Sequence, residues 1–207
     1  LDETSYRISL KNAKRRVAQV MKMVSESPDK FVFVKNAEQL ESAKNGTKHV
    51  VLMSMENAYP LGSEIDNLDY FYEMGVRMLG IVHFSNNQFA DSSTDSEGER
   101  WGGLSSKGIA LVEKANSLGM IIDASHASDK ATEQMIALSK TPIILSHSGV
   151  KAIFDHPRNI DDTLLKKLVD SGGVIQMNAY PSYLRETNSP SMRGSALKAH
   201  YNQLYKN

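Results

Sequence analysis

The stretch Ile121–Met135, "IIDASHASDKATEQM", joins a short apolar run to a histidine and then to the start of a helix. The apolar run is typical of a strand that is buried on both faces. His126 follows at the carboxyl end of that strand. A second stretch, "PIILSHSGVKAIF" (Pro142–Phe154), repeats the plan and delivers His147. Two successive strands that end in a histidine pose a question about function as well as fold.

The same alternation extends along the chain. Apolar runs of strand length are Phe31–Asn36, His49–Glu56, Val76–Phe84, Met120–His126, Pro142–Ser148 and Gly173–Tyr180. Helical patterns lie between them, at Ser9–Glu26, Gly62–Gly75, Ser105–Gly119, Ser128–Lys140 and Asp161–Gly173. Strands that alternate with helices predict an α/β fold with a parallel sheet and right-handed crossovers. An open doubly wound sheet and a barrel both fit that alternation.

Polar side chains at the strand ends favour the barrel. Glu56, His83, His126 and His147 each close an apolar run at its carboxyl end, and Tyr180 does the same. In β/α barrels, residues from this edge of several strands build the active site. Four ionisable groups at four corresponding positions indicate one shared site more strongly than four separate structural roles.

Composition excludes several classes of function. The chain has 207 residues, and its 24 Lys+Arg balance its 24 Asp+Glu, so charge gives no reason to expect nucleic acid as a partner. There is no Cys, so a soft-metal site must use His and carboxylates. No apolar stretch is long enough to predict a membrane span, and the compartment is left open. His49, His156 and His200 are expected to be structural or solvated.

Five blocks of sequence resemble one family, the membrane (renal-type) dipeptidases, which are binuclear zinc hydrolases built on a β/α barrel. The similarity extends from about Lys11 to Leu184, and the order and spacing of the blocks make it specific. The blocks are "MENAYPLG", "GVRMLGIVHFSNNQFADS", "GLSSKGIALVEKANSLGMIIDASHAS", "TPIILSHSGVKAIFDHPRNIDD" and "GGVIQMNAYPSYL".

The resemblance implies a role for each strand-end residue. Glu56 matches the carboxylate that bridges two zinc ions, and His126 and His147 match two imidazole ligands of one of them. Zinc takes neutral imidazole nitrogen and carboxylate oxygen, and a pair of zinc ions activates a bridging water. A carboxylate beside that water, here Glu56, can transfer its proton.

The resemblance also implies a dipeptide substrate and the residues that contact it. His83 matches a histidine at the substrate and the reacting centre, and it could stabilise the tetrahedral oxyanion. Arg158 matches an arginine that holds the substrate carboxylate, for which its planar fork is suited. Tyr180 is predicted to line the same substrate site.

The chain also departs from the family pattern. The family's His-x-Asp after the first strand and its Asp after the eighth are absent, and Glu-Gly-Gly-His is replaced by Glu56-Asn57-Ala58-Tyr59. One metal site therefore retains its ligands of this chain, Glu56, His126 and His147, whereas the other retains only the shared Glu56. We expect residues 1–207 to form a single partial (β/α)8 barrel domain that represents barrel strands three to seven, with Phe31–Asn36 as a peripheral strand.

Three functions remain open at this stage. The first is a zinc dipeptidase or a fragment of one, with weak activity expected for the isolated chain. The second is another metal-dependent amidohydrolase on the same barrel, and the third is an inactive truncated scaffold. Substrate side-chain preference and homo-oligomerisation are also left open.

Overall fold

A parallel sheet forms the centre of the structure, a computed structural model that describes residues 2–187. Its strands are β3 (Met53–Glu56), β4 (Val76–Gly80), β5 (Ile121–Asp123), β6 (Ile144–Val150), β7 (Asn159–Ile160) and β8 (Val174–Met177). The order is β3-β4-β5-β6-β7, and β8 pairs with β6 as well. A separate parallel pair joins β1 (Phe31–Phe33) to β2 (His49–Val51).

The described residues form six α-helices, of which α1 precedes the first strand and the other five lie between strands. They are α1 (Glu3–Glu26), α2 (Ala37–Ala43), α3 (Asn67–Glu73), α4 (Ser106–Leu118), α5 (Asp129–Leu138) and α6 (Asp162–Asp170), with short 3-10 helices at Tyr59–Leu61 and Pro181–Tyr183. Ser105, Ser128 and Asp161 begin their helices by accepting a hydrogen bond from a first-turn backbone N–H. Such caps satisfy backbone donors that have no partner inside the helix. None of the described helices is long and apolar enough to cross a bilayer.

Burial alternates along β3 and fixes the direction of the candidate site. Met53 and Met55 are buried in the core, whereas Ser54 and Glu56 are exposed on the other face. Side chains of a strand point to opposite faces in turn. The helices pack against the first face, so the carboxylate of Glu56 is left on the face that carries the polar groups.

The α/β fold with a parallel sheet is confirmed, but several predicted boundaries are wrong. The run His49–Glu56 is two strands, because β2 pairs with β1 and β3 pairs with β4. Strands β4 and β5 end before the histidines that follow them. Strand β6 extends to Val150, so His147 lies inside it.

Other predictions concern parts of the chain that the structure does not test. The extent of a single partial domain over residues 1–207 stays a prediction, and His200 lies outside the described residues. His49 is exposed at the start of β2, in agreement with a solvated role.

Candidate metal centre

Three parallel strands bring one carboxylate and two imidazoles together at the carboxyl edge of the sheet. Glu56 is the last residue of β3, His126 follows β5 after a short turn, and His147 is the middle residue of β6. We call these three residues the Glu–His–His group. One ligand atom from each lies within 4.8 Å of the others.

The donor atoms of the group face one another. Glu56 Oε1 is 3.3 Å from Nε2 of His126 and 3.1 Å from Nε2 of His147. The two Nε2 atoms are 3.0 Å apart. One carboxylate oxygen and two imidazole nitrogens are the ligand types that zinc accepts, so the side chains fit a metal ion chemically.

The electrostatics of His126 also fit a metal ligand. The side chain is 3% exposed, and burial lowers its pKa from 6.5 to about 2, with smaller contributions from Arg158, His83 and His147. The imidazole is therefore neutral at ordinary pH and keeps a lone pair to donate. Its backbone φ is 74°, a left-handed conformation that is uncommon for a residue other than glycine and is often found at functional sites.

His147 is held by contacts on several sides. Its backbone N–H donates to Ser125 Oγ at 3.0 Å, and its carbonyl accepts from Nη2 of Arg158 at 3.0 Å. Its Nδ1 lies 2.7 Å from Ser146 Oγ. The first two contacts hold the backbone, and the third holds the ring with Nε2 facing Glu56.

His83 lies beside the group. Its Nε2 is 3.8 Å from Glu56 Oε1, and its ring centroid is 4.2 Å from that of His126. Ser92 Oγ donates to the His83 carbonyl at 2.6 Å and ties this turn to the loop that follows. The ring of Phe84 contacts both histidines, with its centroid 4.1 Å from that of His83 and 5.0 Å from that of His126.

Arg158 lies behind His147, whereas Tyr180 is farther along the same surface. Arg158 is 3% exposed, and it donates a hydrogen bond to the backbone carbonyl of His147. Its guanidinium carbon is 5.5 Å from the ring centroid of Tyr183. Burial lowers the pKa of Arg158. Tyr180 is 49% exposed, and its ring lies 4.9 Å from that of Tyr183. The two predicted substrate residues are thus linked through Tyr183.

Asn57, which stands out in the sequence as a departure from the family pattern, anchors the turn that follows Glu56. Its φ of 81° is left-handed, and asparagine tolerates that conformation better than most residues. Its Oδ1 accepts from the N–H of Tyr59 at 3.0 Å and from Nδ2 of Asn87 at 2.9 Å. Asn87 also donates to the Ile81 carbonyl and thereby joins the turn after Glu56 to the turn after β4. In the sequence, the signal for this role of Asn57 is an asparagine directly after a strand-end carboxylate.

A parallel β/α sheet that carries a Glu–His–His group at its carboxyl edge is the arrangement of the metal-dependent hydrolases built on β/α barrels. Residues 2–201 match the family model described as membrane dipeptidase (peptidase family M19). The chain belongs to this family, and the partial barrel expected from the sequence agrees with that membership.

Individual relatives support the same assignment. The chain is 30% identical over 169 residues to dipeptidase verJ of Clonostachys rogersoniana, a match that covers 82% of the chain and 43% of that protein. It superposes on the crystal structure of the probable dipeptidase PvdM from Pseudomonas aeruginosa with a TM-score of 0.81 and 37% identity over 93% of the chain. A metallo peptidase from Rhodobacter sphaeroides, solved with a phosphinate mimic of the dipeptide L-Ala-D-Ala, gives a TM-score of 0.75 and 26% identity over 87% of the chain.

The chain is shorter than these relatives. It spans 51% of the Pseudomonas chain and 54% of the Rhodobacter chain. Among the described residues, the Glu–His–His group could hold a metal ion.

Proposed function

We propose that the chain supplies one zinc site and part of the substrate site of a metal-dependent dipeptidase. The convergence of Glu56 Oε1 with the Nε2 atoms of His126 and His147 carries this proposal. A complete site of the family would hold two zinc ions, and Glu56 is the residue of this chain that would be shared between them.

The same side chains account for the hydrolytic step. Zinc at this position would supply an activated water and polarise the scissile carbonyl. The water loses its proton as it attacks, and the leaving amine takes up a proton as the C–N bond breaks, while Glu56 would hold the metal ion beside that water. His83, which lies beside Glu56, stabilises the negative charge that develops on the carbonyl oxygen.

Recognition of a dipeptide requires a cation for its free terminal carboxylate. Arg158 is adjacent to His147 and offers a planar guanidinium, and Tyr180 and Tyr183 provide an aromatic surface next to it. The dipeptide mimic bound by the Rhodobacter relative is consistent with this class of substrate. Hydrolysis of a substrate that has no terminal carboxylate would instead indicate a more general amidohydrolase.

Zinc binding provides the direct test. Competition with a chromophoric chelator should show that the metal-free chain binds zinc, and that His126→Gln or His147→Gln weakens binding about 100-fold or more, since one of three ligands is lost. His49→Gln is the matched control because it removes an exposed imidazole from β2. Equal zinc affinity in the His49 and His126 variants would contradict the proposal.

A further inference from the structure

A hydrogen-bonded relay runs from a buried carboxylate to the imidazole of His147. Asp123, the last residue of β5, is 5% exposed. Its Oδ2 accepts from the hydroxyl of Ser146 at 2.5 Å, and Ser146 Oγ lies 2.7 Å from Nδ1 of His147. The relay crosses between the neighbouring strands β5 and β6 on the side of His147 that faces away from Glu56.

The chemistry of the three groups sets the direction of the relay. The other oxygen of Asp123, Oδ1, accepts from the backbone N–H groups of Ser125 and Ser146 at 2.9 and 3.0 Å. An ionised carboxylate can only accept hydrogen bonds, and a hydroxyl has one proton to give. The Ser146 proton therefore points to Asp123, and Ser146 Oγ accepts a hydrogen bond from the Nδ1–H of His147.

We infer that Asp123 and Ser146 are positioning residues that hold His147 as its Nδ1–H tautomer and leave the Nε2 lone pair free for a metal ion. The inference rests on the metal site of the proposed function. The hydrogen bond made by one ring nitrogen of a histidine decides which form the other nitrogen takes. Here the deciding group is a serine hydroxyl whose own orientation is fixed by a carboxylate.

Replacing Asp123 by Asn should reverse the relay without removing it. The amide oxygen can keep the two backbone hydrogen bonds, while the amide nitrogen takes the place of Oδ2 and donates to Ser146 Oγ. The Ser146 proton is then released toward Nδ1 of His147, which moves the imidazole proton to Nε2. Ser146→Ala breaks the relay, whereas Ser146→Thr keeps the hydroxyl and should retain the wild-type tautomer.

Nitrogen-15 NMR of the metal-free, histidine-labelled chain reads the tautomer directly above about pH 7.5, where an ordinary imidazole is neutral. His147→Gln assigns the signal among the six histidines. We expect Nδ1–H in the wild type and in Ser146→Thr, and Nε2–H in Asp123→Asn. Asp91→Asn is the matched control, because Asp91 is also a buried carboxylate but accepts from the backbone of Arg100, Trp101 and Gly103.

Zinc affinity gives a second readout. Loss of a group that supports a metal ligand typically costs about 10- to 100-fold in affinity, which we expect for Asp123→Asn and Ser146→Ala, with near wild-type binding in Ser146→Thr. An Nε2–H tautomer in the wild type, or an unchanged tautomer in Asp123→Asn, would overturn the inference even if zinc binds. Failure of the wild type to bind zinc would instead refute the proposed function, and the tautomer would still test the relay.

Discussion

The Nε2 atoms of His126 and His147 lie 3.0 Å apart, and both face the same oxygen of Glu56. Two imidazolium rings at this distance would repel each other, and the low pKa of His126 keeps that ring neutral. At most one proton can occupy the space between the two nitrogens. The arrangement therefore suits a cation that both lone pairs and the carboxylate can share.

Replacing Glu56 by Gln should abolish most of the stabilisation that zinc gives the chain. In the wild type, zinc at 100 times its Kd should raise the free energy of unfolding by about 2.7 kcal/mol. Gln removes the negative charge that offsets the charge of the metal ion. Because Glu56 is half exposed, the free energy of unfolding of the metal-free chain should change by less than about 0.5 kcal/mol. Thermal unfolding with and without zinc measures both effects. Glu99→Gln serves as the control carboxylate, and an equal zinc effect in both variants would contradict the prediction.

Gly108 should be required for the packing of α4 against the loop before it. A Cβ built at this residue lies 2.0 Å from the backbone oxygen of Phe89, which cannot move as a side chain could. Alanine normally favours a helix over glycine by about 1 kcal/mol, but the overlap should make Gly108→Ala less stable by about 1–3 kcal/mol. Urea unfolding provides the measurement, with Glu113→Ala on the exposed face of α4 as the control. A Gly108→Ala variant at least as stable as the wild type would refute the packing argument.

Periodicity predicted the α/β class, and strand-end position grouped Glu56, His83, His126 and His147, whereas the choice of three metal ligands among them depended on the family resemblance. The apolar runs around β4, β5 and β6 contribute Leu79, Ile122 and Leu145 to the core, and the residues that follow or end such strands meet at one edge. That rule depends on the chain direction and not on exact boundaries, so Glu56 and His126 lie at the same edge although β5 ends earlier than predicted.

Other features depend on tertiary contacts that a local pattern does not contain. Helix α2 has no buried residue, so no apolar stripe marks it, although Asn36 and Gln39 form a cap at its start. His147 lies inside β6 because pairing with β7 and β8 extends that strand beyond its apolar part. The role of Ser146 follows from its contact with Asp123 across the sheet, and the sequence separation of the two residues hides it.

The loop that carries Arg158 should lose stability in mild acid. Burial lowers the pKa of His156 below 6.5, with a further contribution from Arg158, and the backbone N–H of Arg158 donates to Nδ1 of His156 at 3.0 Å. The folded state thus favours the neutral ring, so this contribution is present above about pH 6.5 and is lost as the pH falls through the folded pKa.

Comparison with His156→Gln isolates this effect. The free energy of unfolding of the wild type should fall more steeply than that of the variant as the pH is lowered from about 7 to 5. Chemical unfolding at several pH values gives the two curves. Parallel curves would show that His156 does not contribute to the acid sensitivity of the loop.

Arg158 should matter for substrates with a free terminal carboxylate. In the structure Nη2 of Arg158 donates to the His147 carbonyl at 3.0 Å. A charge-assisted hydrogen bond contributes about 1.5–3 kcal/mol, or roughly ten- to a hundredfold in rate or affinity. Lysine keeps the charge without the fork, so Arg158→Lys should weaken dipeptide hydrolysis by about that factor.

A pair of substrates separates carboxylate capture from support of His147, and the complete protein is the one to assay. If Arg158 binds the terminal carboxylate, Arg158→Lys should impair a dipeptide and leave the corresponding dipeptide amide nearly unaffected. If it acts by holding the His147 carbonyl, both substrates should lose activity equally and zinc affinity should fall as well. Arg77→Lys is the matched control, because Arg77 also donates to backbone carbonyls, those of Lys35, Tyr72 and Val76. Equal losses on the two substrates would therefore assign Arg158 to the metal site and not to the ligand.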